Sequence, residues 1–254
     1  MANVGRKGIV IYEETFAVDN LGTGLPTYLG GTSQATGIAW IQNMDSGNTS
    51  FTRSVSASKG LHWAGSLDST NDDVMEICGD QLMFYGSVGH QAIEVMLMVD
   101  QASSMAFNFG FNDEVGESSN DLPVSLQTAT WQSSASTFIG IVKDFDATND
   151  ELHAFWVDDD VDTQEKLTNL RMRGMNMVAD KWLWMRIETQ SLGSGQPIRA
   201  TFHAVHNGKH WTSEFDTTVD GDQALCWSLN VMNKAGIARG VFVKLPYWEQ
   251  SIAD

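Results

Sequence analysis

The chain has 254 residues, 42% hydrophobic and 19% charged. It is long enough to bury a large core without disulfide or metal staples, and too apolar to be wholly disordered. Its net charge is −17, from 32 acids against 15 bases, and such a surface repels phosphate backbones, which argues against nucleic acid as a partner.

The start, "MANVGRKGIVIYEE", carries no signal-peptide apolar stretch, and no apolar run reaches the roughly 20 residues of a membrane span. The expectation is a soluble protein made in a cytoplasm, with no membrane partner. Residues 1–8 are polar and hold Arg6 and Lys7, the only bases before Arg53. They are expected as a flexible arm that orders on a neighbouring subunit, with residues 9–254 as one domain.

Along the chain the period is two. Strands are expected over Gly8–Glu13, Gly37–Gln42, Thr49–Val55, Asp73–Cys78 and Gln81–Phe84. In "QAIEVMLMVD", Ile93, Val95, Leu97 and Val99 share one face, the mark of a half-buried strand. Ser104–Phe111, Thr137–Lys143 and Glu151–Val157 are further candidates. A capping-box spacing, Asp162 to Glu165, suggests a short helix over Asp162–Met172. In "KWLWMRIET", Leu183, Met185 and Ile187 lie on one face, with Trp182, Trp184, Arg186 and Glu188 opposite. "IRATFHAV" and "GVFVKLPYW" alternate in the same way, and Ala224–Val231 is a further strand candidate. "HNGK", His206–Lys209, puts Asn-Gly between two strand-like runs and predicts a tight hairpin. Many short strands and at most one or two short helices predict an all-β, two-sheet antiparallel sandwich.

Cys78 and Cys226 sit in apolar runs and read as buried thiols, with a disulfide left open. Asp144, Asp146 and Asp150 surround the turn "DFDATND". Hard cations take six to eight oxygens, so these carboxylates are the calcium candidates. The loop glycine and distal glutamate of an EF-hand are missing, and the preferred reading is a solvated turn at the rim of a sheet, with no metal and no cofactor. No nucleophile elbow, phosphate loop or dinucleotide fingerprint occurs.

The order of phrases "YEETF", "DDVMEICGDQLMF", "AFNFGFNDEV", "IGIVKDFDATNDELHAFWVDDD", "IRATFHAVHNGKHW" and "RGVFVKLPYWEQ" resembles the concanavalin A-like jelly roll of lectins and glucanases. It is most similar to a divergent branch found as structural proteins of tailed bacteriophages. The resemblance implies a jelly roll in which "GVFVKLPYW" returns beside the N-terminal strand. Glycanases of this fold carry a Glu-x-Asp-x-x-Glu strand. The nearest stretch here, "SEFDTTVD" with Glu214 and Asp216, lacks the third acid, so the chain is expected not to be an enzyme. Lectins of the fold stack sugars on exposed aromatics, for which Trp40, Trp63, Trp131, Trp156 and Trp211 are the candidates. The resemblance implies a virion structural protein, a decoration or cement protein of a phage capsid. It would contact the major capsid protein or other virion subunits as a homo-oligomer, with a trimer favoured. A glycan-binding module on a tail or fibre is the alternative, and a glycoside hydrolase comes last.

Overall fold

The computed structural model describes residues 2–6, 9–13, 41–79, 82, 84–86, 89–116, 121–127, 130–158, 161–162, 170–193 and 195–251. Every element among them is a strand. In chain order these are β1 (Ala2–Arg6), β2 (Ile9–Glu13), β3 (Ile41–Met44), β4 (Thr49–Ser56), β5 (Gly60–Leu67), β6 (Val74–Cys78) and β7 (Phe84–Tyr85). There follow β8 (His90–Val99), β9 (Met105–Asn112), β10 (Val124–Gln127), β11 (Thr130–Ser133), β12 (Phe138–Asp144), β13 (Leu152–Asp158), β14 (Val161–Asp162) and β15 (Arg171–Met172). The last are β16 (Leu183–Ser191), β17 (Pro197–His206), β18 (Lys209–Asp220), β19 (Ala224–Asn233) and β20 (Arg239–Ser251).

Two nine-stranded antiparallel sheets result. The first runs β1-β2-β20-β8-β16-β17-β18, with β5 also on β20 and β4 on β5. The second runs β14-β13-β12-β9-β19-β6-β3, with β15 on β13 and β7 on β19. The hairpin β10–β11 forms a separate small sheet. The sandwich expected from the alternating runs is the observed architecture.

One face of each sheet turns inward. Ile93, Val95, Leu97 and Val99 of β8 meet Leu183, Met185 and Ile187 of β16 and Phe202 of β17 in the main core. Phe107, Phe109 and Phe111 of β9 and Leu229 and Val231 of β19 close it from the second sheet. β20 lies along β8 on one side and divides its other edge, Arg239–Val243 pairing with β5 and Tyr247–Ser251 with β2. Its register to β8 shifts between Lys244 and Tyr247. Pro246 lies in that shift; a residue with no N–H to give the ladder belongs at such a bulge. The final strand thus returns beside the N-terminal one.

The expected turn "HNGK" is a two-residue hairpin: His206 pairs with Lys209, and Asn207 and Gly208 hold φ of +48° and +78°. Left-handed geometry at both positions is what a type I′ turn requires. Ala2–Arg6, read as part of a detached arm, lies as the outer strand β1, antiparallel to β2; an unpaired sheet edge takes up a nearby extended segment even when that segment lacks an alternating pattern. The expected helix falls largely on residues 163–169, outside the described residues; Asp162 at its start closes β14, and Arg171–Met172 at its end is β15.

The second sheet departs from half-burial. β9, β12 and β6 are buried at every position: β10–β11 lays Val124, Leu126 and Trp131 over Phe138, Val142, Phe155 and Val157 of β12 and β13, and Leu122 covers Val74 of β6 and Ala106 of β9. Asn108 fastens this cover: its side chain accepts from Val124 N at 2.7 Å and donates to Val124 O at 2.9 Å. Cys78 and Cys226 are both buried and not joined in a disulfide, and the Cys226 thiol donates to Glu114 O at 2.8 Å.

Candidate functional site

Among the described residues, the tryptophans named from the sequence do not come together as a platform. Trp63 and Trp156 lie in the main core, with Trp211 half-buried against it. Trp131 belongs to the second cluster, edge-on to His153 and tilted against Phe155. Trp40 and Lys7 lie outside the described residues, and Arg6 ends β1.

The three calcium candidates do not converge either. Asp144 is fully buried and accepts from the N–H groups of Leu126 at 2.9 Å and Asp146 at 3.0 Å, with Lys234 Nζ 3.7 Å away. Asp146 is exposed. Asp150 pairs at 2.5 Å with the ammonium of Lys143, which is itself buried. Burial pushes the Asp144 carboxyl up and the Lys143 ammonium down. Among the described residues no group of three or more ligating side chains is placed to hold a metal.

The built surface lies on the outer face of the first sheet. Because β8, β16 and β20 alternate, the residues opposite the core come to one plane. Register sets Tyr247 against Glu94, Glu94 against Arg186, Arg186 against His203, and His203 against Thr212. Arg186 is the centre: its Nε donates to Glu188 at 2.6 Å, Nη2 to Glu249 at 2.8 Å and Nη1 to Glu94 at 3.3 Å. Outer contacts extend the lattice. Trp184 Nε1 donates to Glu94 at 2.6 Å, Tyr247 Oη donates to Glu249 at 2.6 Å, and His90 Nε2 lies 3.3 Å from Glu249.

Burial works against charge on Arg186, but the hydrogen bonds it donates to Glu188 and Glu249 outweigh it and hold the guanidinium protonated more firmly than usual. Burial also opposes charge on Glu249; Tyr247 and Arg186 overcome it and hold the carboxyl below the usual range. The Tyr247 hydroxyl is pushed up by burial and by its bond to Glu249. His203 is pushed down by burial. A retaining or inverting glycosidase needs one carboxyl kept protonated near neutral pH; Glu249 is shifted the other way. Asp216, from the stretch nearest the glycanase pattern, is held down by its 2.6 Å bond from Arg199.

Beside this lattice runs an aromatic and methionine stripe. Register aligns Phe242 with Met98, and Lys244, Met96, Trp184, Val205 and His210 in the next row. Lys59 sits over the Phe242 ring at 4.3 Å and Lys244 over the Trp182 ring at 4.5 Å. Val205 is 39% exposed. The sequence did carry a signal for this face, the outward set Trp182, Trp184, Arg186 and Glu188. What it lacked were the partners Glu94 and Glu249, which are 92 and 63 residues from Arg186.

A second cluster lies in the loops at one end. Asp73 shares a hydrogen bond with Asp68, and its carboxyl is pushed up to about 6 by burial, by that bond and by the charges of Asp68 and Asp45. Asp68 is held down chiefly by the Thr70 N–H, at 2.6 Å.

The two sheets and their strand order make an antiparallel β-sandwich with the concanavalin A-like jelly-roll fold. Solved structures share the fold at low identity. A Shewanella oneidensis MR-1 protein described as of unknown function matches with a TM-score of 0.57 at 7% identity, over 99% of this chain and 90% of its own. Peanut lectin, solved with a nine-residue peptide, matches with a TM-score of 0.54 at 8% identity, over 97% of this chain and 99% of its own. The carbohydrate recognition domain of Emp46p, in a mutant form, gives 0.51 at 12% identity, over 92% and 99%. No protein-family model and no curated protein matches the sequence.

Proposed function

We propose that this chain is a non-enzymatic binding module that works through the outer face of its first sheet, and that it serves as a virion structural protein, a capsid decoration or cement protein held by protein–protein contacts. The observation that carries the reading is the composition of that face. Trp182, Trp184, Met96 and Val205 lie beside an arginine held by three carboxylates. Aromatics, methionine and arginine are the residues protein interfaces favour, and a prefixed arginine loses little freedom on docking. The virion setting comes from the sequence resemblance.

Glycan recognition is the second reading. It is favoured by the lectin-type fold and by carboxylates beside aromatic rings on the same face, Glu94 with Trp184 and Glu249 with Tyr247.

One experiment separates the two. Wild type and a Trp182→Ala/Trp184→Ala double variant are mixed with undecorated particles and, in parallel, with an immobilised glycan panel. The proposal expects wild type to co-sediment with particles, the variant to bind at least about tenfold more weakly, as for loss of an interface anchor, and neither to bind glycan. Glycan binding by wild type, lost in the variant and without particle binding, would replace the proposal with the second reading.

A further inference from the structure

The two sheets end differently. The second sheet finishes in β3, β14 and β15, strands of four, two and two residues. The first ends on one side in β1 and β4, of five and eight residues, and on the other in β18, a strand of 12 residues with β17 on one side and, among the described residues, no strand on the other. Natural proteins blunt such edges with lysine, proline, bulges or short length. β18 carries Lys209 at one end, and its register shifts beyond Asp216. Between them, His210–Asp216 is regular and has neither lysine nor proline, and its two acids, Glu214 and Asp216, are taken up by Arg199 of the neighbouring β17.

The hairpin sets which backbone groups face outward. His206 and Lys209 bracket a two-residue loop and so form a hydrogen-bonded pair. Alternation then turns Trp211, Ser213 and Phe215 toward β17, and leaves the N–H and C=O groups of His210, Thr212, Glu214 and Asp216 aimed at the open edge.

We infer that β18 pairs antiparallel with β18 of a second copy of this chain, on a two-fold axis at Ser213, joining the two first sheets into one continuous sheet. Ser213 is the midpoint of the regular segment, so this register uses all of it. It sets His210 opposite Asp216 of the second copy and Thr212 opposite its Glu214, each twice by symmetry. On the inner side, half-buried Trp211 meets Phe215 of the second copy, again twice. A register two residues further along sets Glu214 against itself, and one two residues back leaves Asp216 opposite the turn at Gly208. The pairing extends the outer face from one copy to the next. It is independent of what that face binds, so a failure here would leave the proposed function standing, and the reverse.

The test uses the full chain. Light scattering across a dilution series should give the mass of two chains, and Thr212→Pro, which removes an outward N–H at an edge position open to proline, should give the mass of one with the melting curve kept. Ser213→Cys tests the register. Opposed residues of a non-hydrogen-bonded pair have Cα atoms about 4.5 Å apart, within disulfide range, so mild oxidation should yield a covalent dimer quickly. Thr212→Cys should not crosslink, and the buried Cys78 and Cys226 add no background. A single-chain mass for wild type at every concentration would overturn the inference. So would a dimer in which Ser213→Cys stays uncrosslinked.

Discussion

The two outward faces of this sandwich come from the same kind of strand and end in opposite states. On the second sheet, Phe138, Val142, Phe155 and Val157 point away from the main core and are buried a second time under β10–β11. On the first, most outward residues of β8, β16 and β20 stay half-exposed, and three carboxylates gather on the Arg186 guanidinium. One outward face therefore contributes stability through apolar burial. The other gains little from burial and presents a rigid polar and aromatic surface. Order on an exposed face comes here from hydrogen bonds between strands, and order on the covered face from packing.

If that division holds, mutations on the two faces should differ in kind. The largest effect is expected from Phe138→Ala, which empties the centre of the covered cluster. A loss of about 3–5 kcal/mol is the usual cost of a buried phenylalanine, read as a drop in the urea midpoint. A loss under about 1 kcal/mol would mean that β10–β11 is not a true cover. Asn108→Ala should follow at about 2–3 kcal/mol, because it leaves the buried N–H and C=O of Val124 without partners. Faster amide exchange at Val124 would locate the effect.

On the exposed face, Arg186→Ala should cost about 2 kcal/mol. It leaves Glu94, Glu188 and Glu249 mutually repelling, though partial exposure moderates the penalty. Added salt should recover part of that loss, while leaving Phe138→Ala unrescued. Equal salt response in both variants would erase the distinction between the faces.

A smaller, pH-dependent effect is expected at the loop cluster. The folded-state Asp73 carboxyl is raised from 3.8 to about 6. Its stabilising contribution is therefore full below about pH 4 and is lost as pH rises through about 6. Asp73→Asn should melt increasingly above wild type across that window, with a constant gap beyond it. A gap independent of pH would remove the shared proton from the account. The smallest effect is expected from chelation. Asp144 is occupied by backbone N–H groups and Asp150 by Lys143, so neither a chelator nor added calcium should move the melting temperature. A calcium-specific rise would restore the metal reading of that turn.

Much of the sandwich was legible in advance. Strict alternation marked β8, β16, β17 and β20, and Asn207-Gly208 placed the β17–β18 hairpin. β5 was not foreseen, since the glycines and serine of "GLHWAGSL" blur its alternation, although it seats Trp63 and Leu67 in the core. β10 and β11 were missed because "VSLQ" and "TWQS" are short and polar, and act as strands only against the sheet beneath them. The tryptophans were visible as residues but only partly as buried or exposed ones: alternation set Trp184 opposite the apolar face of β16, whereas no such pattern placed Trp156 in the core.

The sequence by itself determined where the long alternating strands run and which of their residues share a face, because side-chain alternation and turn chemistry are properties of a few neighbouring residues. Only the tertiary structure decided which faces are covered, that Asp144 and Asp150 turn to separate partners, and that Glu94, Glu188 and Glu249 meet on one guanidinium. Those outcomes depend on strands brought together from distant parts of the chain, and a local pattern carries no record of which strands will pair.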